Sequence, residues 1–196
     1  MCWGAGFMRI FFLFLRIWGL MAPFYNVCAY CRSPQREEVC ALLQIRDLNV
    51  TMKKDLRPLL RDFRLALNPT DRVAIIGEEG DGKSTLLKLI YDPSLVEEYV
   101  EWSGEVQRQG LLLGYLSQEV GQEEAQLSGY QFCCQEEAFL ESSPGELASA
   151  AAQLRFPKEL FYTDRSVNSL SGGEKVKLRM ALLTLRRPDV YLLDEP

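Results

Sequence analysis

An α/β fold built around a phosphate-binding loop is the fold class that this sequence predicts, and two observations carry the prediction. Residues 72–76 have the pattern of a short buried strand that runs into the glycine-rich stretch 77–84, and residues 85–91 then have the pattern of a helix. Much later, the apolar stretch 189–193 ends in two carboxylates, Asp194 and Glu195. Strand, glycine loop and helix in that order are the context that a phosphate-binding loop requires.

The other elements are predicted from hydrophobic periodicity and turn residues. In the stretch before the loop, apolar Phe63, Leu65 and Leu67 alternate with other side chains, which indicates a strand. The turn residues 68–71 separate this strand from the next one. With this strand at 59–67, the sequence also predicts strands at 42–50 and 111–116 and helices at 125–140, 144–154 and 172–187.

Residues 1–40 differ in composition from residues 41–196, which divides the chain into an apolar extension and a domain. Residues 7–24 are apolar and rich in aromatic side chains, with charges at Arg9 and Arg16. As a membrane segment, the stretch 10–30 would gain roughly 3–6 kcal/mol from its apolar side chains and lose roughly 3 kcal/mol at Arg16. The favoured interpretation is an upstream extension from a misplaced start, and a weak membrane anchor is the alternative. Nucleotide binding is therefore expected not to need residues 1–40.

The charge of the chain argues against a protein that coats DNA or RNA. Its 196 residues carry a net charge of -5, whereas neutralising phosphates requires clustered Lys and Arg. Between residues 109 and 154 the charged side chains are all glutamates, which is typical of a solvated helical surface. The chain has no histidine, so a zinc site would need four thiolates, of which Cys28, Cys31 and Cys40 supply three. The six cysteines are instead expected to be free thiols in a reducing compartment.

The glycine-rich stretch has the residue types that bind a polyphosphate. Gly77, Gly80 and Gly82 let the backbone wrap tightly with its amide N–H groups pointing inward. The start of the following helix adds a partial positive charge. Lys83 is predicted to contact the β and γ phosphates, and the Ser84 hydroxyl to contact Mg²⁺.

Two later motifs supply further polar groups. Asp194 and Glu195 follow a buried strand, and the carboxyl end of such a strand is where an α/β sheet binds ligands. Asp194 suits Mg²⁺ coordination, and Glu195 suits polarising a water that attacks the phosphate. Ser171 precedes two glycines and a helix, and by itself this pattern indicates only a helix N-cap.

Taken together, these motifs resemble the ATP-binding cassette (ABC) domains. Residues 77–85 are similar to the Walker A motif of that family and Gln118 to its Q-loop glutamine. Residues 170–174, Leu-Ser-Gly-Gly-Glu, are similar to its signature motif, and residues 190–195 to its Walker B motif. The resemblance covers residues 42–196, and the four motifs stand in the family's order with its familiar spacing.

Within that family, Glu174 followed by Lys175 is most similar to the ABC-F branch. Members of this branch are soluble, carry two cassettes in one chain and mostly act on ribosomes. The fold that the resemblance implies is the P-loop NTPase fold of ABC type, a mixed sheet with an antiparallel β-subdomain and a helical subdomain at about 120–168, incomplete at its C-terminus. It implies ATP and Mg²⁺ as cofactors and ATP hydrolysis as the activity.

The resemblance also assigns roles to individual residues. Glu195 and Gln118 are the implied catalytic residues, and Ser84, Gln118 and Asp194 the implied Mg²⁺ ligands. The implied ATP-binding residues are Gly77, Glu78, Glu79, Gly80, Asp81, Gly82, Lys83, Ser84 and Thr85. The implied signature residues, which cover the ATP of a second cassette, are Leu170, Ser171, Gly172, Gly173 and Glu174.

The chain departs from the family pattern in three respects. Glu78, Glu79 and Asp81 place acids in a loop that usually has small or amide side chains, which should weaken phosphate binding by repulsion. No aromatic stands clearly where the family stacks adenine, and Met52 or the flank of Leu56 is the expected substitute. The sequence stops before the family's D-loop and switch histidine, so we expect ATP binding without sustained turnover by this chain alone.

Three functions agree with these motifs. The first is a cytoplasmic, ABC-F-like ATPase whose partners are a second cassette and the ribosome, acting in translation or in antibiotic resistance. The second is the ATP-binding subunit of a membrane transporter, peripheral to the membrane and docked on its membrane domains. The third is a truncated remnant that does not catalyse a reaction.

Overall fold

The computed structural model describes residues 9–15, 42–108, 110–118 and 120–195, which form two sheets and a set of helices. The strands are β1 (Arg9–Leu15), β2 (Leu43–Met52), β3 (Pro58–Leu67), β4 (Arg72–Gly77), β5 (Val100–Gln107), β6 (Leu113–Leu116) and β7 (Val190–Leu193). The helices are α1 (Lys83–Tyr91), α2 (Gln122–Gln126), α3 (Gly129–Cys133), α4 (Glu137–Glu141), α5 (Pro144–Leu154) and α6 (Gly172–Leu185).

One sheet is antiparallel, with the strand order β3-β2-β5. Its strands bury alternate side chains against α1, and Leu43, Ile45, Leu48 and Val50 of β2 are fully buried in the same core as Leu87 and Ile90. The register between β2 and β5 shifts after Arg46. Gly104 lies at this irregularity with φ +113°, where a Cβ would come 2.6 Å from the carbonyl oxygen of Asp47. β5 is a strand that the sequence periodicity did not predict.

The second sheet has the order β4-β1-β7-β6 and holds the predicted site strands. β6 and β7 are parallel, whereas β1 is antiparallel to both β4 and β7. The mixed sheet, the antiparallel β-subdomain and the helices between Gln122 and Ser169 agree with the predicted fold class. This arrangement places the ends of β4 and β7 on either side of β1.

The segment 1–40 was expected to lie apart from the domain, and one part of it falls among the described residues. Arg9–Leu15 pairs with β4 along six residues and with β7 along four, so it forms an inner strand of the central sheet. The rest of the segment, and with it most of the predicted membrane anchor, lies outside the described residues. In the part of the chain that is described, no helix combines the length and the apolar character needed to cross a membrane.

The predicted long helix at 125–140 is divided into three short helices. Ser128 caps α3 by accepting a hydrogen bond from the Gln131 amide, which starts a new helix directly after α2 has ended. Phe132, Phe139, Phe156 and Phe161 then form an aromatic core with α6. The helical subdomain thus has its own hydrophobic core, separate from the core beneath the antiparallel sheet.

Candidate ATP-binding site

The predicted phosphate loop connects the end of β4 to the start of α1. Gly80 and Gly82 both have φ +85°, a left-handed conformation that favours glycine. Gly82 is the N-cap residue of α1, and no side chain caps the first amides of that helix. The first turn of α1 therefore offers backbone N–H groups and the positive end of a helix dipole to an anion.

The Lys83 side chain is buried, with 7% of its surface exposed. Its ammonium donates a hydrogen bond to the carbonyl oxygen of Gly77 at 3.0 Å and another to that of Glu78. Both acceptors belong to the loop itself. A phosphate oxygen bound in the loop would offer this ammonium an acceptor that carries a full charge, which makes the stronger hydrogen bond.

Asp194 connects the end of β7 to the phosphate loop. Its Oδ1 accepts a hydrogen bond from the Ser84 hydroxyl at 3.0 Å, and its Oδ2 accepts one from the Tyr115 hydroxyl at 2.9 Å. Burial raises the pKa of Asp194 above its ordinary value, and the hydrogen bonds from Tyr115 and Ser84 oppose this shift. A hydroxyl and a carboxylate side by side are oxygen ligands of the kind that Mg²⁺ prefers.

Glu195 and Gln118 meet although they are far apart in sequence. The side-chain amide of Gln118 donates from Nε2 to Oε2 of Glu195 at 2.7 Å. Glu195 has φ +51°, which is uncommon for a residue that is not glycine.

The phosphate loop, Gln118 and Glu195 surround one cavity of about 330 Å³, and Asp194 lies behind Ser84, outside its lining. Its lining residues come from the hairpin of β2 and β3, the phosphate loop, the first turn of α1, the residue before β5, and the segments that follow β6 and β7. They are Met52, Arg57, Leu59, Glu79, Gly80, Gly82, Lys83, Ser84, Thr85, Tyr99, Gln118 and Glu195. The structure therefore brings together the predicted phosphate loop, Gln118 and Glu195. Met52, which we expected in place of an adenine-stacking aromatic, also lines this cavity.

The five signature residues do not line this cavity in the described part of the chain. Ser171, Gly172 and Gly173 are exposed, and a Cβ added at either glycine would meet no atom within 4 Å. Ser171 caps α6: its hydroxyl lies 2.8 Å from Oε2 of Glu174 and accepts a hydrogen bond from the Glu174 amide. This surface is open to a second molecule.

Three side chains at the site were not found from the sequence. Tyr115 holds Asp194 from β6, Tyr99 lines the cavity just before β5, and Arg57 donates from Nη2 to the Gly80 carbonyl oxygen at 3.0 Å. The sequence contains no motif for these contacts, because each joins residues that only the fold brings close. Hydrophobic alternation along β5 would have indicated the strand that follows Tyr99.

Asp81 has a role in the loop that differs from simple repulsion. Its Oδ2 accepts a hydrogen bond from the Glu78 amide at 2.6 Å, and it lies so close to Gly77 that a Cβ there would come within 2.8 Å of it. Asp81 thus ties the middle of the loop to its start at Gly77 and Glu78. Of the three loop acids, Glu79 is the one that lines the cavity.

Comparison with known families gives one match along most of the chain. The sequence profile of the ABC transporter family matches residues 60–196. The matched range contains the phosphate loop, Gln118, the signature residues and the carboxylates after β7.

The curated proteins that are similar to this chain include a metal-import ATP-binding protein and ATP-binding proteins whose names state no transport role. The zinc import ATP-binding protein ZnuC of Alcanivorax borkumensis is 31% identical over 156 residues, covering 79% of this chain and 56% of that protein. The ATP-binding protein Uup of Caulobacter vibrioides is 32% identical over 166 residues, covering 84% and 24%. The probable ATP-binding protein YheS of Haemophilus influenzae is 34% identical over 146 residues, covering 70% and 20%. The chain spans about half the length of the first relative and about a quarter or less of the others.

Proposed function

Because this chain belongs to the ABC transporter family, we propose that it binds ATP with Mg²⁺ in the cavity around Lys83 and hydrolyses it there. The observation that carries the proposal is that Lys83, Ser84, Gln118 and Glu195 line one cavity, and that Asp194 lies directly behind it, hydrogen-bonded to Ser84. The Lys83 ammonium and the Ser84 hydroxyl come from the loop, Asp194 bonds to Ser84, and Glu195 bonds to Gln118. These are the groups that phosphate binding, metal binding and activation of water require.

Each residue has a task that follows from its position. The amides at the start of α1 and the Lys83 ammonium bind the phosphate oxygens. Ser84 and Asp194 hold Mg²⁺, which neutralises charge on the phosphates when it is bound. Glu195 accepts a proton from the attacking water, and the hydrogen bond from Gln118 keeps its carboxylate in place.

The proposed hydrolysis needs a second cassette. The signature residues lie outside the cavity of their own chain, on an exposed surface. In the arrangement that the family resemblance implies, Ser171 and the amides of Gly172 and Gly173 cover the γ-phosphate bound to the opposing chain. A helix N-terminus with exposed glycines is suited to that contact, because backbone can approach the anion closely there.

Equilibrium titration with Mg-ATP tests the binding step. We expect the wild-type chain and Glu195→Gln to bind ATP, and Lys83→Ala to lose on the order of a hundredfold or more in affinity because the buried cation is gone. Glu195-dependent phosphate release then measures hydrolysis. Unchanged ATP affinity in Lys83→Ala would mean that the cavity is not the nucleotide site.

For the biological role, we propose an ABC-F-like ATPase that acts on the ribosome or in antibiotic resistance. Similarity to Uup and YheS, together with Glu174-Lys175, supports this role. Similarity to the zinc import protein supports the alternative, an ATP-binding subunit docked on transporter membrane domains. Co-sedimentation of Glu195→Gln with ribosomes in the presence of Mg-ATP would favour the first role, and its recovery with membrane vesicles containing a co-expressed membrane domain would favour the second.

A further inference from the structure

We propose that Arg57 is a second cationic contact for the phosphates of the bound nucleotide, opposite Lys83, a role that rests on the proposed ATP-binding function. Arg57 lies in the turn between β2 and β3, where its amide donates to Oδ1 of Asp55 at 3.2 Å. Its guanidinium reaches out of the antiparallel sheet to the phosphate loop and donates from Nη2 to the Gly80 carbonyl oxygen at 3.0 Å. Arg57 therefore lines the same cavity as Lys83.

The charges around the cavity favour a second cation at the site. Of the three loop acids, Glu79 lines the cavity, together with the one ammonium of Lys83, while Glu78 and Asp81 add negative charge to the same loop. Glu195 adds a further carboxylate to the lining. At distances of a few ångströms each like-charge pair costs on the order of 1 kcal/mol or more, depending on exposure to water. A triphosphate entering this site therefore meets the repulsion of Glu79 and Glu195, and a second cation beside Lys83 would offset part of it.

Arg57 is suited to the task by its chemistry as well as its position. Among the described residues that line the cavity, Arg57 and Lys83 are the two with a positive charge. A guanidinium has five N–H donors in a planar fork that matches phosphate oxygens, and the Gly80 carbonyl oxygen engages Nη2. That bond anchors the side chain at the rim of the loop and leaves the other donors for oxygens of the ligand.

The test compares the affinities of the full chain for Mg-ATP, Mg-ADP and AMP after charge removal at Arg57. We expect Arg57→Met to weaken ATP binding on the order of tenfold, the equivalent of about one charge-assisted hydrogen bond. The loss should be smaller for ADP and negligible for AMP. Arg57→Lys keeps the charge but loses the forked guanidinium donors, so its affinity for ATP should lie between those of Arg57→Met and the wild type.

Arg61→Met is the matched control, since Arg61 is an exposed arginine of β3 that does not line the cavity. The proposal is overturned if Arg57→Met binds ATP as Arg61→Met does, or if it loses ATP and AMP affinity equally, which would mean a contact with the base or a role in the hairpin. Wild-type chain that does not bind ATP, or Lys83→Ala that still does, would overturn the proposed function itself. If the wild type binds ATP, Lys83→Ala does not, and Arg57→Met binds ATP as tightly as the wild type, only the role of Arg57 is overturned.

Discussion

Asp194 is the most enclosed charged residue of the candidate site, with 2% of its surface exposed. A carboxylate in such a position is costly unless donors satisfy its oxygens. Ser84 and Tyr115 each satisfy one oxygen. Because Ser84 is itself a proposed metal ligand, Tyr115 is the contact that orients Asp194 independently of the nucleotide.

Replacing Tyr115 with Phe should therefore weaken the site without changing its shape. Removal of one donor from a buried carboxylate typically costs about 1–3 kcal/mol. We expect a lower melting temperature and weaker Mg-ATP binding in Tyr115→Phe. Tyr91→Phe is the control, because its ring stacks on Tyr115 with a centroid separation of 5.4 Å and it loses the same hydroxyl. Equal effects of the two substitutions would contradict the role of Tyr115.

At the scale of single residues, the sequence predicted the side chains that occupy a fixed position in a motif. Lys83 and Ser84 stand at set positions after glycines, and Asp194 and Glu195 follow a strand, so a local pattern is sufficient to propose them as site residues. Arg57 and Tyr115 were missed because their partners are 23 and 79 residues away in sequence. No local pattern encodes a distance of that kind.

At the scale of elements, β1 is the strand that connects the two halves of the site. β4 carries the phosphate loop and β7 carries Asp194, and each pairs with β1. Composition alone set residues 1–40 apart from the domain, because an apolar stretch does not reveal which strands it will pair with. The start of the domain at residue 41 stays a prediction.

Shortening the chain tests the contribution of β1. A chain that starts at Ala41 lacks the strand between β4 and β7, so we expect a lower melting temperature and weaker ATP binding. A chain that lacks only residues 1–8 keeps every paired residue of β1 and should match the full chain. If the chain from Ala41 is as stable and binds ATP equally well, residues 1–40 are dispensable, as the sequence composition suggested.

Two helices begin with the same capping arrangement, and it gives them a defined response to acid. Hydrogen bonds from the backbone and hydroxyl of Ser143 lower the pKa of Glu146, and those of Ser171 lower the pKa of Glu174. A carboxylate with a lowered pKa stabilises the folded state fully above its ordinary value, 4.5 here, and loses that contribution as the pH falls through the lowered value.

We therefore expect the double variant Glu146→Gln, Glu174→Gln to lose less stability than the wild type when the pH falls from 5 to below 4, by about the contribution of these two caps. Melting temperatures across this range measure it. Glu137→Gln, an exposed glutamate at the start of α4, serves as the control. An identical acid response in the double variant and the wild type would mean that the two caps do not contribute.

At the scale of the whole molecule, the signature residues are separated from the cavity that they are proposed to serve. Ser171 caps α6 just as Ser143 caps α5, and the corresponding hydroxyl–carboxylate distances are 2.8 and 2.9 Å. Within one chain, Ser171 is therefore accounted for by helix capping alone. A second chain that approaches α6 would give Ser171 a further role that Ser143 does not share.

Comparison of Ser171→Ala with Ser143→Ala separates these two roles. Each substitution removes an N-cap, so each should cost about 1 kcal/mol, or roughly 2–4 °C in melting temperature. If Ser171 also covers the γ-phosphate of a second cassette, only Ser171→Ala should reduce ATP-induced association. Light scattering of the Glu195→Gln chain with Mg-ATP measures that association, and AMP in place of ATP shows whether it depends on the γ-phosphate. Equal association in the two serine variants would leave Ser171 as a helix cap and would rule out its contact with the opposing nucleotide.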